Sequence, residues 1–318
     1  MDKRKIGDLG VTIMGIGCNN FGSRLDNTGT DAVVHAAMEV GINFFDTADV
    51  YGDGVSEEYL GKALGTRREE VAVATKFGAQ LGDDPSQSGA SPRWIEKAVE
   101  GSLRRLGTDY IDLYQVHRPD EETPIEGTLE ALDHLISSGK VREIGCSNYS
   151  ETQIEDSLST SHERDLARFA SVQNEYSLLH RDPEENGVIE ACRKNRLALL
   201  PYFPLASGML TGKYIRGKEA PAGSRLASMS AARAQRFANA QNFELTERLE
   251  AFAEERGHTI LELAISWLVA QPVVASVIAG AMRPEQVRAN AEGVKWELSS
   301  EDLEEIDRIT RALSHSEP

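Results

Sequence analysis

The chain has 318 residues, 40% of them hydrophobic and 27% charged, and its 51 acidic and 34 basic residues give a formal net charge of −17. This composition is that of a globular protein with a sizeable core and excludes a disordered chain. So acidic a protein is not expected to bind nucleic acid or an anionic membrane, because both ligands attract basic surfaces.

The three cysteines, Cys18, Cys146 and Cys192, lie far apart and include no CxxC pair. A disulfide framework and a structural zinc site therefore have no support, and a reducing compartment is expected. The N-terminal residues are charged with no apolar stretch after them, and no apolar run reaches the roughly 18 residues of a membrane span. We therefore expect a soluble cytoplasmic protein.

The predicted elements begin with a hairpin at 3–12, which we expect to close the floor of a barrel. Eight short apolar runs rich in β-branched residues follow, separated by amphipathic helix patterns. Most of the runs lack strict polar alternation, a pattern typical of parallel strands that are covered on both faces. The runs are 13–16, 42–45, 71–75, 111–116, 141–146, 170–172, 197–202 and 273–279.

Helix signals lie between the strands. Ser91 before a proline predicts a helix start, and Gly107 predicts the end of that helix. Thr123, Ser150 and Thr259 are each followed three residues later by Glu or Gln, so each predicts a capping box.

Eight strand–helix units in series favour a single (β/α)8 TIM barrel, of class α/β, over an open doubly wound sheet. No shift in composition marks a second domain, so residues 1–318 are predicted to form one barrel domain. The seventh and eighth strands end near residues 202 and 280, and a helix beginning at Thr259 fills only part of that connection. The segment 205–239 therefore predicts a long lid or binding loop after strand 7.

Ionisable side chains end three consecutive strands. Asp46, Lys76 and His117 close strands two, three and four, at the edge where such barrels carry their active sites. Each alone has an ordinary explanation, as a turn residue, a solvated lysine or a surface histidine. Together they are expected to converge within a few ångströms and to perturb one another's pKa values.

Tyr51, five residues after Asp46, completes this group. A phenol with a pKa near 10 is a poor acid at neutral pH, and we expect the Lys76 ammonium to lower that pKa. Tyr51 would then serve as a general acid, with His117 holding a carbonyl oxygen. The group supplies no hydride, so the chemistry requires a cofactor.

Eight motifs occur in order along the chain: GINFFDTADVYG at 41–52, ATK at 74–76, DLYQVH at 112–117, IGCSN at 144–148, QNEY at 173–176, PYFPL at 201–205, GMLTGK at 208–213 and GAMRPEQ at 280–286. With these motifs the chain resembles an aldo-keto reductase over nearly its whole length. The catalytic Asp, Tyr, Lys and His of that family fall on Asp46, Tyr51, Lys76 and His117.

The resemblance implies NADPH or NADP as cofactor, extended across the barrel mouth, with NAD still possible. It implies that Ser147, Asn148 and Gln173 bind the carboxamide and that Tyr202 stacks on the nicotinamide. Leu205, Gly208, Leu210 and Lys213 match the loop over the pyrophosphate, and Arg283, Gln286 and Asn290 match the adenosine end. The remaining cofactor positions are Cys18, Asn19, Asn20, Asp46, Phe203, Pro204, Ala206, Arg225, Gly280 and Met282.

Some positions depart from the family pattern. Phe203 and Ala279 stand where Ser and Pro are frequent, and Met282 stands where many relatives carry a basic residue. Arg283 is therefore alone at that end, which is why NAD stays possible. For Arg225 and Arg233 a purely solvated role is equally open.

The implied reaction is the reduction of an aldehyde or ketone to an alcohol, in a monomer or homo-oligomer. Its substrate pocket is expected to include Phe21, Tyr51, Phe77 and Tyr114. One alternative is an NADPH-binding regulatory subunit with little turnover, like the potassium-channel β-subunits. Another is a Schiff-base aldolase with Lys76 as nucleophile. A Rossmann dehydrogenase is disfavoured, because no GxGxxG follows a strand.

Overall fold

The computed structural model describes residues 1–311 and begins with a β-hairpin. Its strands β1 (Lys3–Ile6) and β2 (Leu9–Thr12) pair in antiparallel fashion. Ile6 and Val11 are fully buried in an apolar cluster shared with the barrel strands. The predicted hairpin that closes the barrel floor is therefore confirmed.

Eight parallel strands follow, and their order in the sheet is that of the chain, with the last strand beside the first. They are β3 (Met14–Gly17), β4 (Phe44–Asp46), β5 (Ala72–Phe77), β6 (Ile111–Val116), β7 (Val141–Ser147), β8 (Ser171–Gln173), β9 (Ala198–Leu199) and β10 (Val277–Gly280). Leu199 of β9 forms a parallel bridge with Val274, just before β10, and so completes the circle.

The predicted (β/α)8 barrel is thus confirmed, with shifts of a few residues in strand bounds. The largest difference in length is in β9, which has two residues where the apolar run 197–202 predicted six. Pro201 lies in that run and has no N–H to donate, so it cannot extend a ladder within the sheet.

Helices surround the strands, and the larger apolar core lies between the two layers. They are α1 (Asn27–Glu39), α2 (Val55–Leu64), α3 (Pro92–Leu106), α4 (Ile125–Ser137), α5 (Glu151–Arg164), α6 (Asp182–Glu185), α7 (Val188–Asn195), α8 (Ala231–Phe237), α9 (Ala240–Glu254), α10 (Ile260–Val269), α11 (Pro284–Glu292) and α12 (Ser300–Arg311). Within residues 1–311, no helix combines the length and apolar character needed to cross a bilayer.

Most predicted helix ends are confirmed. Ser91 caps α3 and Gly107 ends it with a left-handed φ of 64°, while Ser150 and Thr259 form capping boxes. The box predicted at Thr123 is wrong, because α4 begins at Ile125 without a side-chain cap. The Thr123 hydroxyl instead donates a hydrogen bond of 2.7 Å to Asp120.

The long connection after β9 is more structured than the sequence predicted. It contains 3-10 turns at Ala206–Thr211 and Leu226–Ser228, followed by α8, α9 and α10. The segment also reaches the loop after β3, where Arg24 donates a hydrogen bond of 2.7 Å to the carbonyl of Gly223. It therefore extends over one side of the barrel mouth, as a lid or binding loop requires.

Candidate active site

A buried ion pair lies at the carboxyl ends of β4 and β5. Asp46 ends β4, and Lys76 projects from β5 into the lumen, where its Nζ donates to Asp46 Oδ2 at 2.6 Å. The same ammonium donates to the carbonyl of Thr47 at 2.8 Å. Lys76 is fully buried, so these two acceptors replace the water that its charge would otherwise require.

Two glutamines hold the other oxygen of Asp46. Gln173 Nε2 donates to Asp46 Oδ1 at 3.0 Å and Gln115 Nε2 at 3.3 Å. Gln173 is one of the predicted cofactor residues, whereas Gln115 was not predicted. Gln115 stands two positions before His117, so the alternation of side chains along a strand places both on the lumen side. That spacing is the sequence signal from which Gln115 could have been predicted.

Tyr51 and His117 complete the group of four predicted catalytic residues. The Lys76 ammonium lies 5.1 Å from the centroid of the Tyr51 ring. The His117 ring meets Tyr51 edge to face, with centroids 5.9 Å apart and an angle of 81° between the rings. The structure thus brings Asp46, Tyr51, Lys76 and His117 together at one place, and the catalytic role of each stays a prediction.

The pKa of Tyr51 departs from the expected direction. Burial raises the pKa of its phenol above the ordinary value of 10, and the Lys76 ammonium offsets only part of that rise. For Lys76 itself, burial lowers the pKa, but Asp46 and Tyr51 raise it by more. The site therefore holds a protonated phenol beside a firmly charged ammonium.

His117 is the neutral member of the group. Burial lowers its pKa to about 3, helped by the positive charges of Lys76 and Arg118. Its Nδ1 is buried without a hydrogen-bond partner among residues 1–311. A neutral imidazole with a free ring nitrogen suits an oxygen atom placed between His117 and Tyr51.

The residues predicted for the carboxamide and the nicotinamide ring form one connected set. Ser147 Oγ donates to the carbonyl of Gln173 at 2.8 Å, and Asn148 Nδ2 donates to the carbonyl of His117 at 3.0 Å. Tyr202 reaches the same place, since its hydroxyl donates to Asn148 Oδ1 at 2.8 Å. The predicted nicotinamide residues therefore adjoin the four predicted catalytic ones.

The loop predicted to cover the pyrophosphate has an unusual backbone. Phe203, Ala206, Ser207 and Gly208 all have positive φ values, from 44° to 94°. A Cβ added to Gly208 would lie 2.5 Å from Lys213 Nζ, so the glycine permits this ammonium to approach the loop.

Buried side chains in this loop include polar and apolar ones. The hydroxyl of Ser207 is buried and has no partner in the described part of the chain. The side chains of Pro204, Ala206 and Leu210 are buried as well, whereas Leu205 is partly exposed. Since the side chains of Pro204, Ala206 and Leu210 are apolar, these residues can form hydrogen bonds to a cofactor only through their backbone groups.

Arg225 connects the long segment to the loop after β3. Its Nη1 donates to Asn20 Oδ1 at 3.2 Å, its guanidinium lies 5.4 Å from the Phe203 ring, and its Nε is buried without a partner in residues 1–311. These contacts argue against a purely solvated role for Arg225, whereas Arg233 is exposed.

Asn20 also lies close to the end of β10, since a Cβ added to Gly280 would lie 3.3 Å from Asn20 Nδ2. Asn19 lies beside it and is partly exposed. Cys18, by contrast, belongs to the apolar core, where its thiol donates to the carbonyl of Ile16.

The N-terminal end of α11 carries the residues predicted for the adenosine half. Gln286 Oε1 accepts a hydrogen bond of 2.7 Å from the N–H of Met282, and Arg283 precedes the helix without a side-chain cap. Asn290 is buried, and its Nδ2 has no partner among the described residues. The positive end of the α11 helix dipole, with an arginine beside it, suits a phosphate group.

These features fit a dinucleotide cofactor. Ser207 Oγ, Arg225 Nε and Asn290 Nδ2 are buried polar atoms without partners in residues 1–311, and they belong to segments predicted to contact one extended molecule. Buried polar groups normally have partners, so groups left unpaired point to a ligand that supplies them.

The predicted substrate pocket is wrong for three of its four residues. Phe21, Phe77 and Tyr114 are fully buried in the core between strands and helices. Because successive residues of a strand face opposite sides, Phe77 points away from the lumen that Lys76 enters. Phe77 and Tyr114 stack on each other with ring centroids 4.7 Å apart.

Comparison with known proteins agrees with this geometry. The model of the aldo/keto reductase family matches residues 13–311. The chain belongs to this family. As an aldo/keto reductase it is a member of a family of oxidoreductases, and its TIM-barrel fold is the one that the sequence predicts.

Individual aldo/keto reductases and related proteins align with nearly the whole chain. A probable voltage-gated potassium channel subunit beta from Oryza sativa subsp. japonica is 35% identical over 304 residues, which cover 92% of this chain and 90% of the relative. The aldo-keto reductase yakc [NADP(+)] from Schizosaccharomyces pombe is 35% identical over 314 residues, covering 95% and 89%. The structure of a glycerol dehydrogenase from Gluconobacter oxydans superposes with a TM-score of 0.84 at 30% identity, covering 100% and 97%.

Proposed function

We propose that this aldo/keto reductase uses NADPH to reduce an aldehyde or ketone to an alcohol, with Tyr51 as the proton donor. The observation that carries the proposal is the position of the Lys76 ammonium, buried between the Asp46 carboxylate and the Tyr51 ring. We propose further that the protein acts as a single domain in the cytoplasm, as a monomer or homo-oligomer.

Each residue of the group has a task in this reaction. NADPH, when bound, supplies the hydride to the carbonyl carbon. Tyr51 gives its phenolic proton to the carbonyl oxygen, and the Lys76 ammonium stabilises the phenolate that remains. Asp46 keeps this ammonium charged and in place, and it is itself held by Gln115 and Gln173.

His117 would orient the substrate. Because its pKa of about 3 keeps the imidazole neutral, it can donate one N–H to the carbonyl oxygen without adding a charge beside Lys76. The oxygen is then held from two sides, by the His117 ring and the Tyr51 hydroxyl, at the point where charge develops.

Three of the proposed cofactor residues, Ser207, Arg225 and Asn290, carry unpartnered buried atoms, and the others are proposed from the family resemblance. Ser207, Arg225 and Lys213 would hold the pyrophosphate, and Arg283, Gln286 and Asn290 the adenosine end with its 2′-phosphate. Ser147, Asn148 and Gln173 would bind the carboxamide, and Tyr202 would stack on the ring. Of these groups, Gln173 already donates its amide to Asp46, which leaves its oxygen for the ligand.

The geometry argues against the aldolase alternative. A nucleophilic lysine needs a lowered pKa so that its amine is free, whereas the ion pair with Asp46 raises that of Lys76. The regulatory alternative keeps one observation in its favour, the likeness to the potassium channel subunit beta of Oryza sativa.

One experiment tests the proposal against the regulatory alternative. The purified protein is titrated with NADPH and with NADH, and the nicotinamide absorbance is then followed over a panel of aldehydes, ketones and sugars. Turnover with NADPH on at least one carbonyl compound supports the proposal. Tight binding with slow exchange of NADPH, and no turnover across the panel, would establish the regulatory role instead.

A further inference from the structure

A second group of buried polar side chains lies behind the catalytic lysine, on the outer face of β5. Lys76 enters the lumen, so Thr75 faces outward toward α2. Its hydroxyl donates to Glu57 Oε1 at 2.5 Å, and Arg105 of α3 donates to Glu57 Oε2 at 2.7 Å. Glu57 is fully buried, and both of its oxygens are occupied.

Asp49 is the member of this group without a side-chain partner. It is fully buried, and neither of its carboxylate oxygens has a hydrogen-bond partner among residues 1–311. Its main-chain N–H donates to the carbonyl of Lys76 at 3.1 Å. The turn 46–51, which carries Tyr51, is therefore attached to β5 at the catalytic lysine itself.

The two cations that act on Asp49 are each already paired with another carboxylate. Glu57 of α2 already takes Arg105 of α3, and Lys76 of β5 is paired in the lumen. Tyr114 of β6 adds only a neutral hydroxyl, which is buried and unpartnered in the described chain. An ionised Asp49 would thus place a second negative charge beside Glu57, and the charges of Arg105 and Lys76, which are already paired with other carboxylates, would offset only part of the repulsion.

We propose that Asp49 is a positioning residue for Tyr51 and performs that task only while its carboxyl group carries a proton. In the neutral form the turn 46–51 packs against β5 and α2 without charge repulsion. Ionisation sets Asp49 against Glu57 at the first turn of α2 and displaces the turn that ends at Tyr51. Burial, and then the charge of Glu57, raise the pKa of Asp49 to about 8, against the smaller lowering effects of Arg105, the Val50 N–H and Lys76, which agrees with this assignment.

The effect on catalysis rests on the proposed carbonyl reduction and is measured as kcat against pH. For wild type we expect kcat to fall about tenfold between pH 7 and 9, the change in the protonated fraction of a group with a pKa near 8, with KM little changed. Asp49→Asn cannot ionise, so it should keep kcat within about twofold of the wild type at pH 7 and retain it at pH 9. Asp53→Asn, at an exposed position close by, is the matched control and should behave as wild type.

Two measurements test the assignment without turnover. The infrared spectrum of wild type at pH 6.5 should contain the carbonyl stretch of a protonated carboxylic acid that Asp49→Asn lacks. Hydrogen exchange should show the protection of 46–57 falling between pH 7 and 9 in wild type and not in Asp49→Asn.

Three results would overturn the inference: no such infrared band, equal loss of protection in both proteins, or the same fall of kcat above pH 8 in Asp49→Asn. If wild type reduces no carbonyl compound, the proposed function fails by itself. The infrared and exchange data then still decide whether Asp49 holds a proton and orders the turn.

Discussion

Lys76 Nζ and Asp46 Oδ2 lie 2.6 Å apart in the barrel lumen, and both side chains are almost wholly buried. Gln115, Gln173 and the carbonyl of Thr47 complete the hydrogen bonds of this pair. A buried pair with its polar atoms satisfied is costly to break from one side, because the partner keeps a charge that water cannot reach.

Removing one member of the pair should therefore destabilise the fold more than removing both. Asp46→Asn or Lys76→Met alone should lower the free energy of unfolding by about 3–5 kcal/mol, and the double variant by less than either. Urea unfolding at pH 7 measures these differences. The exposed pair Arg164 and Glu130 is the control, where single changes should cost below about 1 kcal/mol. If the loss of unfolding free energy in the double variant equals the sum of the two single losses, Asp46 and Lys76 do not stabilise each other and the prediction is wrong.

Tyr51→Phe should remove the proton donor and leave cofactor binding intact. We expect kcat to fall by about 10²–10⁴, the usual contribution of a positioned acid, while the Kd for NADPH stays within about twofold. Steady-state assays on the best substrate of the panel measure kcat, and a fluorescence titration with NADPH measures the Kd. Tyr59→Phe, on α2, serves as the matched control. Near-normal turnover in Tyr51→Phe would remove Tyr51 from this role.

Much of the site was predictable, because strand order and strand ends are local properties of the sequence. Asp46 and Lys76 each follow an apolar run directly, and the barrel topology brings such ends together. The errors at Phe77 and Tyr114 concern which side of a strand a residue faces. Phe77 is adjacent to Lys76 in sequence and therefore points the opposite way, into the helix layer.

Other features depend on packing between distant elements. Asp49 is fully buried and lies close to Glu57 of α2, and the ion pair of Glu57 with Arg105 joins α2 to α3. The direction of the Tyr51 pKa shift has the same origin, since the sequence indicates a neighbouring ammonium but not that burial outweighs its effect on the pKa.

Below about pH 6.5, His117 should make the free energy of unfolding depend on pH. Its pKa is about 3 in the folded protein, below the ordinary 6.5, so between these values the unfolded chain binds a proton that the folded chain does not. Stability should therefore fall as pH falls from about 6.5 toward 3. In His117→Gln this part of the dependence should be missing, whereas the exposed His134→Gln should follow wild type. Thermal unfolding at pH 7, 5.5 and 4.5 compares the three proteins, and parallel curves for all of them would disprove the assignment.

Arg283 should decide the preference for NADPH over NADH. It directly precedes α11, so its guanidinium can act together with the positive end of the helix dipole in holding a 2′-phosphate. Because a hydrogen bond to a charged group contributes about 1.5–3 kcal/mol, Arg283→Ala should raise the Kd for NADPH by roughly 10- to 100-fold and that for NADH by less than about twofold. Arg288→Ala, on the same helix but paired with Glu39, is the control and should change neither. An equal rise of the Kd for both cofactors would place Arg283 at a part of the dinucleotide that NADPH and NADH share. An unchanged Kd for NADPH would mean that the helix N-terminus binds the 2′-phosphate without Arg283.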